Sequence, residues 1–290
     1  MQQQNNICDF KSSDSWVILS PIEQSIKRKI EAVGTPLKDW DIQINYGIKT
    51  GFNDAFIIST EKRNEILANC KNADERQRTD ELIRPILRGR DIKRYIYDWA
   101  DVWLINTHNG IKGRLERIHI EDYPAVKAHL DQFWDKIKDR ADQGDTPYNL
   151  RNCAYLEDFC KPKIIWKRIG SILRFSYDDK KVFGLDSTCI ATGKHISYLC
   201  CVLNSDMGHY LLKDSPKTGT GDLLVSVQAM EPILIPFDKN IELQLNAILK
   251  IYLDNNTRLI DEKINRIVYS LYRLSADECQ YITETITQFQ

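Results

Sequence analysis

Between residues 42 and 58 the chain is committed to a narrow set of folds. Ile42, Ile44, Tyr46 and Ile48 alternate with polar or small residues, and Ala55 to Ile58 resume an apolar run. A period of two specifies a half-buried strand, and the second run reads as another. Between them, Gly47 and Gly51 reach backbone angles closed to other residues. Lys49, Thr50 and Asn53 could then sit on a tight connection with amide groups presented outward, chemistry suited to a phosphate. An ordinary glycine-containing hairpin accounts for the same spacing.

The flanks carry helical signals. Ser20-Pro21-Ile22-Glu23 combines a serine cap, a first-turn proline and a glutamate placed to complete a capping box, and Ile22, Ile26 and Ile30 share one face. Residues 61–70 read as a short helix, 72–80 as a polar link, 102–105 as a buried strand and 107–113 as a loop. Residues 120–142 read as a single helix, a scaffold element with Val126, Leu130, Phe133, Trp134 and Ile137 on its apolar face. Strand-length apolar pieces follow at 172–177, 182–185 and 188–191, then a helix over 196–204. From about residue 238 the spacing turns helical: Ile241, Leu245, Ile248 and Tyr252, then Ile260, Ile264, Ile267 and Leu271, with Ser275 and Glu278 forming a second capping box. Two striped helices predict a hairpin that packs against itself or docks on a neighbour.

Composition gives no electrostatic case for a polyanionic partner, because the formal net charge is −1. Any such case rests on local clusters. Arg84, Arg88, Arg90, Lys93 and Arg94 surround a lone acid, Asp91; if extended, Arg88 and Arg90 project from one side. Lys161, Lys163, Lys167, Arg168 and Arg174 flank Ile164, Ile165 and Trp166, with Tyr148 and Arg151 upstream. Lys217, Thr218 and Gly219 lie on a glycine-rich basic loop that lacks nucleotide-binding spacing. Solvated faces account for all three clusters equally well.

The 8 cysteines form no Cys-x-x-Cys pair and the 5 histidines no metal-binding pair, so reduced packing residues are expected. No apolar run approaches the roughly 20 residues of a membrane span, and residues 1–6 lack the character of a signal peptide, which leads to the expectation of a cytoplasmic protein. An Asn-Pro-Pro-Tyr-like methyltransferase motif is missing. Asp178-Asp179-Lys180 has the residue types of a magnesium nuclease but reads as a turn.

The segment GIKTGFNDAFII, residues 47–58, resembles the opening signature of the TaqI-like C-terminal specificity domain, the target-recognition module of restriction-modification enzymes. LIRPILRGRDIKRY (82–95), KPKIIWKRI (161–169), YLCCVLNS (198–205), PILIPF (232–237) and INRIVYSLYRLSADE (264–278) follow in that family's order. The resemblance implies an α+β fold, with twisted β-sheets for recognition over residues 1–237 and a C-terminal α-helical hairpin over 238–290. It implies a non-catalytic reader of double-stranded DNA in a type II system, partnered in cis or in trans with a methyltransferase/nuclease domain. That partner would hold the S-adenosylmethionine and magnesium, leaving no cofactor here. The DNA-contacting residues it points to are Lys49, Thr50, Asn53, Arg88, Arg90, Lys93, Arg94, Arg151, Lys163, Lys167, Arg168, Lys217 and Thr218. Two other classes remain open: an adaptor that docks through its helical tail, and a magnesium nuclease built around Asp178 and Asp179.

Overall fold

The computed structural model describes residues 19–255 and 260–287; Cys8 and the rest of residues 1–18 lie outside them. Two four-stranded sheets form its centre. The first contains β1 (Ile42–Tyr46), β5 (Lys163–Lys167), β6 (Phe175–Asp178) and β8 (Thr188–Gly193), in the antiparallel order β1-β8-β5-β6. The second contains β2 (Ile57–Ser59), β3 (Ile83–Leu87), β4 (Val102–Ile105) and β7 (Phe183–Gly184), ordered β2-β4-β3-β7, with β3 and β7 parallel.

Strand β5 shows why the sheets stack. Side chains alternate between faces, so a strand covered on both sides reads as a continuous apolar run. Ile164 and Trp166 enter one hydrophobic core and Ile165 the other; in β8, Cys189 and Ala191 face the first core and Ile190 the second. Register pairs Ile165 with Ile190, so both strands change face together. The first core is closed by α1 (Pro21–Val33), α5 (Ile196–Asn204) and α6 (Asp206–Leu212). The second is closed by α2 (Thr60–Ala68), α3 (Ala73–Leu82) and α4 (Pro124–Asp131).

The tail comprises α7 (Lys239–Asn255), α8 (Ile260–Leu271) and α9 (Ala276–Thr287). Three helices thus stand where a hairpin was expected. They form no core of their own: Leu245, Ile248, Ile264, Val268 and Ile282 join the first core. Arg94 and Tyr95 tie the sheet region to α8 through Asp261, at 3.1 and 3.0 Å.

Two other sequence expectations are corrected. Residues 72–80 are no link but most of α3, because the Asn72 side chain accepts the Glu75 amide as an N-cap. Residues 120–142 are not one helix: α4 starts at Pro124, stops at Asp131, and a separate turn spans Trp134–Ile137. Beyond it, buried Arg140 donates to the carbonyls of Thr50 (2.9 Å), Pro147 and Asn149, which fixes the Thr50 loop from beneath.

Both capping boxes form, and the second reaches beyond its own helix. Buried Glu278 accepts the Ser275 amide (2.7 Å), the Ser25 hydroxyl (2.7 Å) and the Lys29 ammonium (2.6 Å), joining α9 to α1. Burial alone would raise its pKa, but Lys29, the Ser275 amide and Ser25 outweigh that and hold the carboxyl at about 2, against an ordinary 4.5. A depressed carboxyl stabilises the fold above the unfolded pKa, and its contribution fades as pH falls toward 2. Glu278→Gln is therefore expected to cost about 3 kcal/mol at pH 7 in urea unfolding, with the gap from the parent closing between pH 4.5 and 2. A gap independent of pH would refute this role.

Candidate nucleic-acid interface

The two sheets meet at the turn joining β7 to β8. Thr188 donates its amide (2.8 Å) and hydroxyl (2.7 Å) to the Leu185 carbonyl, closing the turn. Against it lies the backbone that leaves β1: Gly47 donates to the Thr188 carbonyl (2.9 Å) and Ile48 to that of Gly184 (2.7 Å). A Cβ on Gly47 would overlap the Leu185 carbonyl, so only glycine fits this approach. These two amides are consumed in joining the sheets and are not presented outward to a phosphate. Nor does a simple strand follow, since Asn53–Phe56 is a helical turn leading into β2.

The far side of the turn holds other segments. Ser187 accepts the Gly89 amide at its hydroxyl (3.0 Å) and the Arg168 amide at its carbonyl (3.0 Å). Gly89 is packed so closely on Lys167 that a Cβ would lie 2.8 Å from its Cγ. Arg90, next to Gly89, and Lys167, next to Arg168, are exposed. Leu223–Leu224 pairs with Ile169–Gly170, which tethers the loop bearing Lys217 and Thr218 just past Arg168.

A cleft of about 470 Å³ opens beside this junction, lined in part by Tyr46, Lys49, Arg151, Tyr155, Arg168 and Asp186. Arg168 lies 6.0 Å from the Tyr46 ring, and its buried Nε has no hydrogen-bond partner among the described residues. A guanidinium donor without an acceptor is costly to bury. Lys49 and Arg151 share one carboxylate, Asp142, at 2.9 and 3.4 Å, so this pair still carries excess positive charge.

Other expected contacts point inward. Arg88 does not extend beside Arg90: Gly89–Asp91 is a 3-10 turn, and Arg88 Nε and Nη2 grip buried Asp91 at 3.0 and 2.9 Å. Asp91 in turn raises the Arg88 pKa. Lys163 is fully buried, ion-paired to Asp178 and bonded to the Phe159 carbonyl at 2.7 Å, and burial lowers its pKa. Asp178 also accepts Tyr97 Oη (2.9 Å) and the Val182 amide (3.1 Å), so the carboxylate at the centre of the nuclease alternative is spent in packing. Arg94 is held by Asp261 and the Asn204 carbonyl, and Lys93 lies 3.5 Å from Asp98. Thr50 is buried and donates to Asn53 Oδ1 (2.6 Å), whereas Asn53 itself is exposed. Among the described residues no group of three His, Cys, Asp or Glu side chains is placed to hold a metal ion, and no helix is long and apolar enough to cross a membrane.

Residues 84–228, half of the chain, match the model of the TaqI-like C-terminal specificity domain. The chain belongs to that family. Among solved structures, this specificity domain is similar to the type IIL restriction-modification enzyme MmeI in complex with DNA, at 13% identity and a TM-score of 0.60, covering 89% of this chain and 37% of that one. It also matches the type IIG restriction endonuclease BpuSI, at 14% identity and a TM-score of 0.49, over 91% of this chain and 31% of that one. No curated protein matches. The MmeI likeness is one of fold, and the chain spans little more than a third of that enzyme's length. The family match covers residues 84–228, and the glycine motif at 47–58 precedes it.

Sequence reasoning missed Tyr46, Tyr155 and Asp186 as cleft residues. None stands in a charge cluster, and only the meeting of the sheets brings them together.

In this specificity domain, Arg88→Ala should lower the melting temperature by several degrees, since it strands buried Asp91, whereas Arg90→Ala should leave it within about one degree. Lys163→Ala should cost about 3–5 kcal/mol in urea unfolding by leaving Asp178 buried and uncompensated. Melts of Arg88→Ala and Arg90→Ala that coincide, or a Lys163→Ala protein as stable as the parent, would contradict these assignments.

Proposed function

We propose that this domain binds double-stranded DNA sequence-specifically, as the target-recognition module of a type II restriction-modification enzyme acting in the cytoplasm. One observation supports the reading: Lys49, Arg151 and Arg168, from separated segments, line one cleft, and exposed Lys167 and Arg90 stand on the neighbouring strand end and turn. Lys49, Arg151 and Lys167 would hold phosphates, which gives affinity without information. Arg90 and Arg168 would face base edges, where a bidentate contact to guanine supplies ~1–3 kcal/mol of discrimination. Asn53, Lys217 and Thr218 would contact the backbone at the margins.

Methylation and cleavage would belong to a methyltransferase/nuclease domain, in cis or in trans, with S-adenosylmethionine and magnesium bound there. Residues 1–237 would do the reading and 238–290 would buttress them. The adaptor alternative rests on Leu243, Ile251 and Leu253, exposed on α7, whereas Leu245, Ile248, Ile264, Val268 and Ile282 are spent inside the first core.

A selection from random duplexes, with the chain as bait, should enrich one short motif. On the enriched duplex, Arg90→Ala should reduce specific binding more than non-specific binding, by roughly 10- to 100-fold. Lys167→Ala should weaken both alike and make the log affinity against log salt plot shallower by ~0.9. Absence of salt-dependent duplex binding would overturn the reading.

A further inference from the structure

The cleft does not end at Arg151. Asn152 and Cys153 line both it and a second hollow of about 800 Å³, walled by residues 109–117 with Asp145 and Ala154. That wall is a tight hairpin. Ile111 and Leu115 exchange amide–carbonyl bonds at 2.8 and 2.9 Å, and the chain reverses through Gly110 and Gly113 at φ of 73° and 76°. A Cβ on Gly110 would overlap the Leu115 carbonyl, whereas Gly113 faces open space, so the tip is held from behind and bare in front. Lys112, Gly113 and Arg114 are exposed there.

Charge pairing in the hollow is uneven. Asp145 accepts Asn109 Nδ2 (2.9 Å), Glu116 lies 3.2 Å from His119 Nε2, and Glu157 is paired with Arg114. Lys112 and Arg117 are left without a carboxylate at ion-pair distance among the described residues. Lys112, Arg114 and Arg117 line the hollow against Glu116 and Asp145, so cations outnumber acids in its wall, and the hollow continues the Arg168 cleft through shared walls. A lone phosphate would fill one end only; a polyanion with evenly spaced charges fits the whole trough.

We propose that the hairpin of residues 109–117 is a second clamp on the duplex, gripping the phosphodiester backbone through Lys112 and Arg117 beyond the edge of the Arg168 cleft. This rests on the DNA-binding reading and extends its footprint to residues whose sequence, Gly-Ile-Lys-Gly-Arg, reads as a plain loop.

The test is a salt titration of the full chain on a mixed-sequence duplex, followed by fluorescence anisotropy between about 50 and 200 mM salt. The variant Lys112→Ala with Arg117→Ala should make the log–log slope shallower by ~1.8 and weaken binding to all duplexes alike. Lys112→Arg with Arg117→Lys should restore the slope, a rescue that a purely structural role would not give. A slope unchanged in the alanine variant, while Lys167→Ala still shifts it, would overturn the clamp and leave the DNA reading standing. A parent chain with no salt-dependent duplex binding would overturn both.

Discussion

The cation-lined end of this molecule depends on one close approach of backbone to backbone. Gly47, leaving β1 of the first sheet, meets Leu185, just past β7 of the second, and the Gly47 and Ile48 amides bond Thr188 and Gly184 across the gap. Any larger residue at position 47 would force the strands apart. Register through β8 sets the Tyr46–Lys49 and Lys167–Arg168 segments at one end of the first sheet, although more than a hundred residues separate them in sequence, and the junction adds the turn bearing Asp186 beside them.

Around that junction the fold divides its cations into two populations. Lys163, Arg88 and Arg94 bind carboxylates or carbonyls within the protein, and Arg140 fastens the Thr50 loop. Removing a charge from water is expensive unless it is paired and hydrogen-bonded, so such residues act as structural pins. Arg90, Lys167 and Arg168 remain at the rim, where positive charge costs little and a polyanion can use it. A net charge of −1 is compatible with a cationic cleft because the two populations are sorted by position and not by number.

The parts of the fold legible in sequence are those with local causes. The Ser20–Glu23 and Ser275–Glu278 boxes start α1 and α9 where they should, and the 3.6-residue stripe marks α7 and α8. Helix α3 was hidden because its mean character is polar and its cap is a single asparagine. The tail announced its helices but not their number or where they dock, since a stripe says only that something covers it. The site was legible as a set of basic clusters, and its weakest step was the inference from proximity in sequence to a shared surface. Arg88 and Arg90 are two residues apart, yet Arg88 grips Asp91 and Arg90 is exposed, because a 3-10 turn, not a strand, separates them. Lys163 is fully buried and Lys167 exposed at the two ends of β5.

That sorting of cations is open to direct observation by lysine acetylation and mass spectrometry, with and without a duplex carrying the selected motif. Lys49 and Lys167 should react in the free protein and be protected on the duplex. Lys163 should stay unreactive in both states, and Lys136 and Lys194, on surfaces apart from the cleft lining, should react equally in both. Protection spread evenly over exposed lysines, or a reactive Lys163 in the folded chain, would contradict the account.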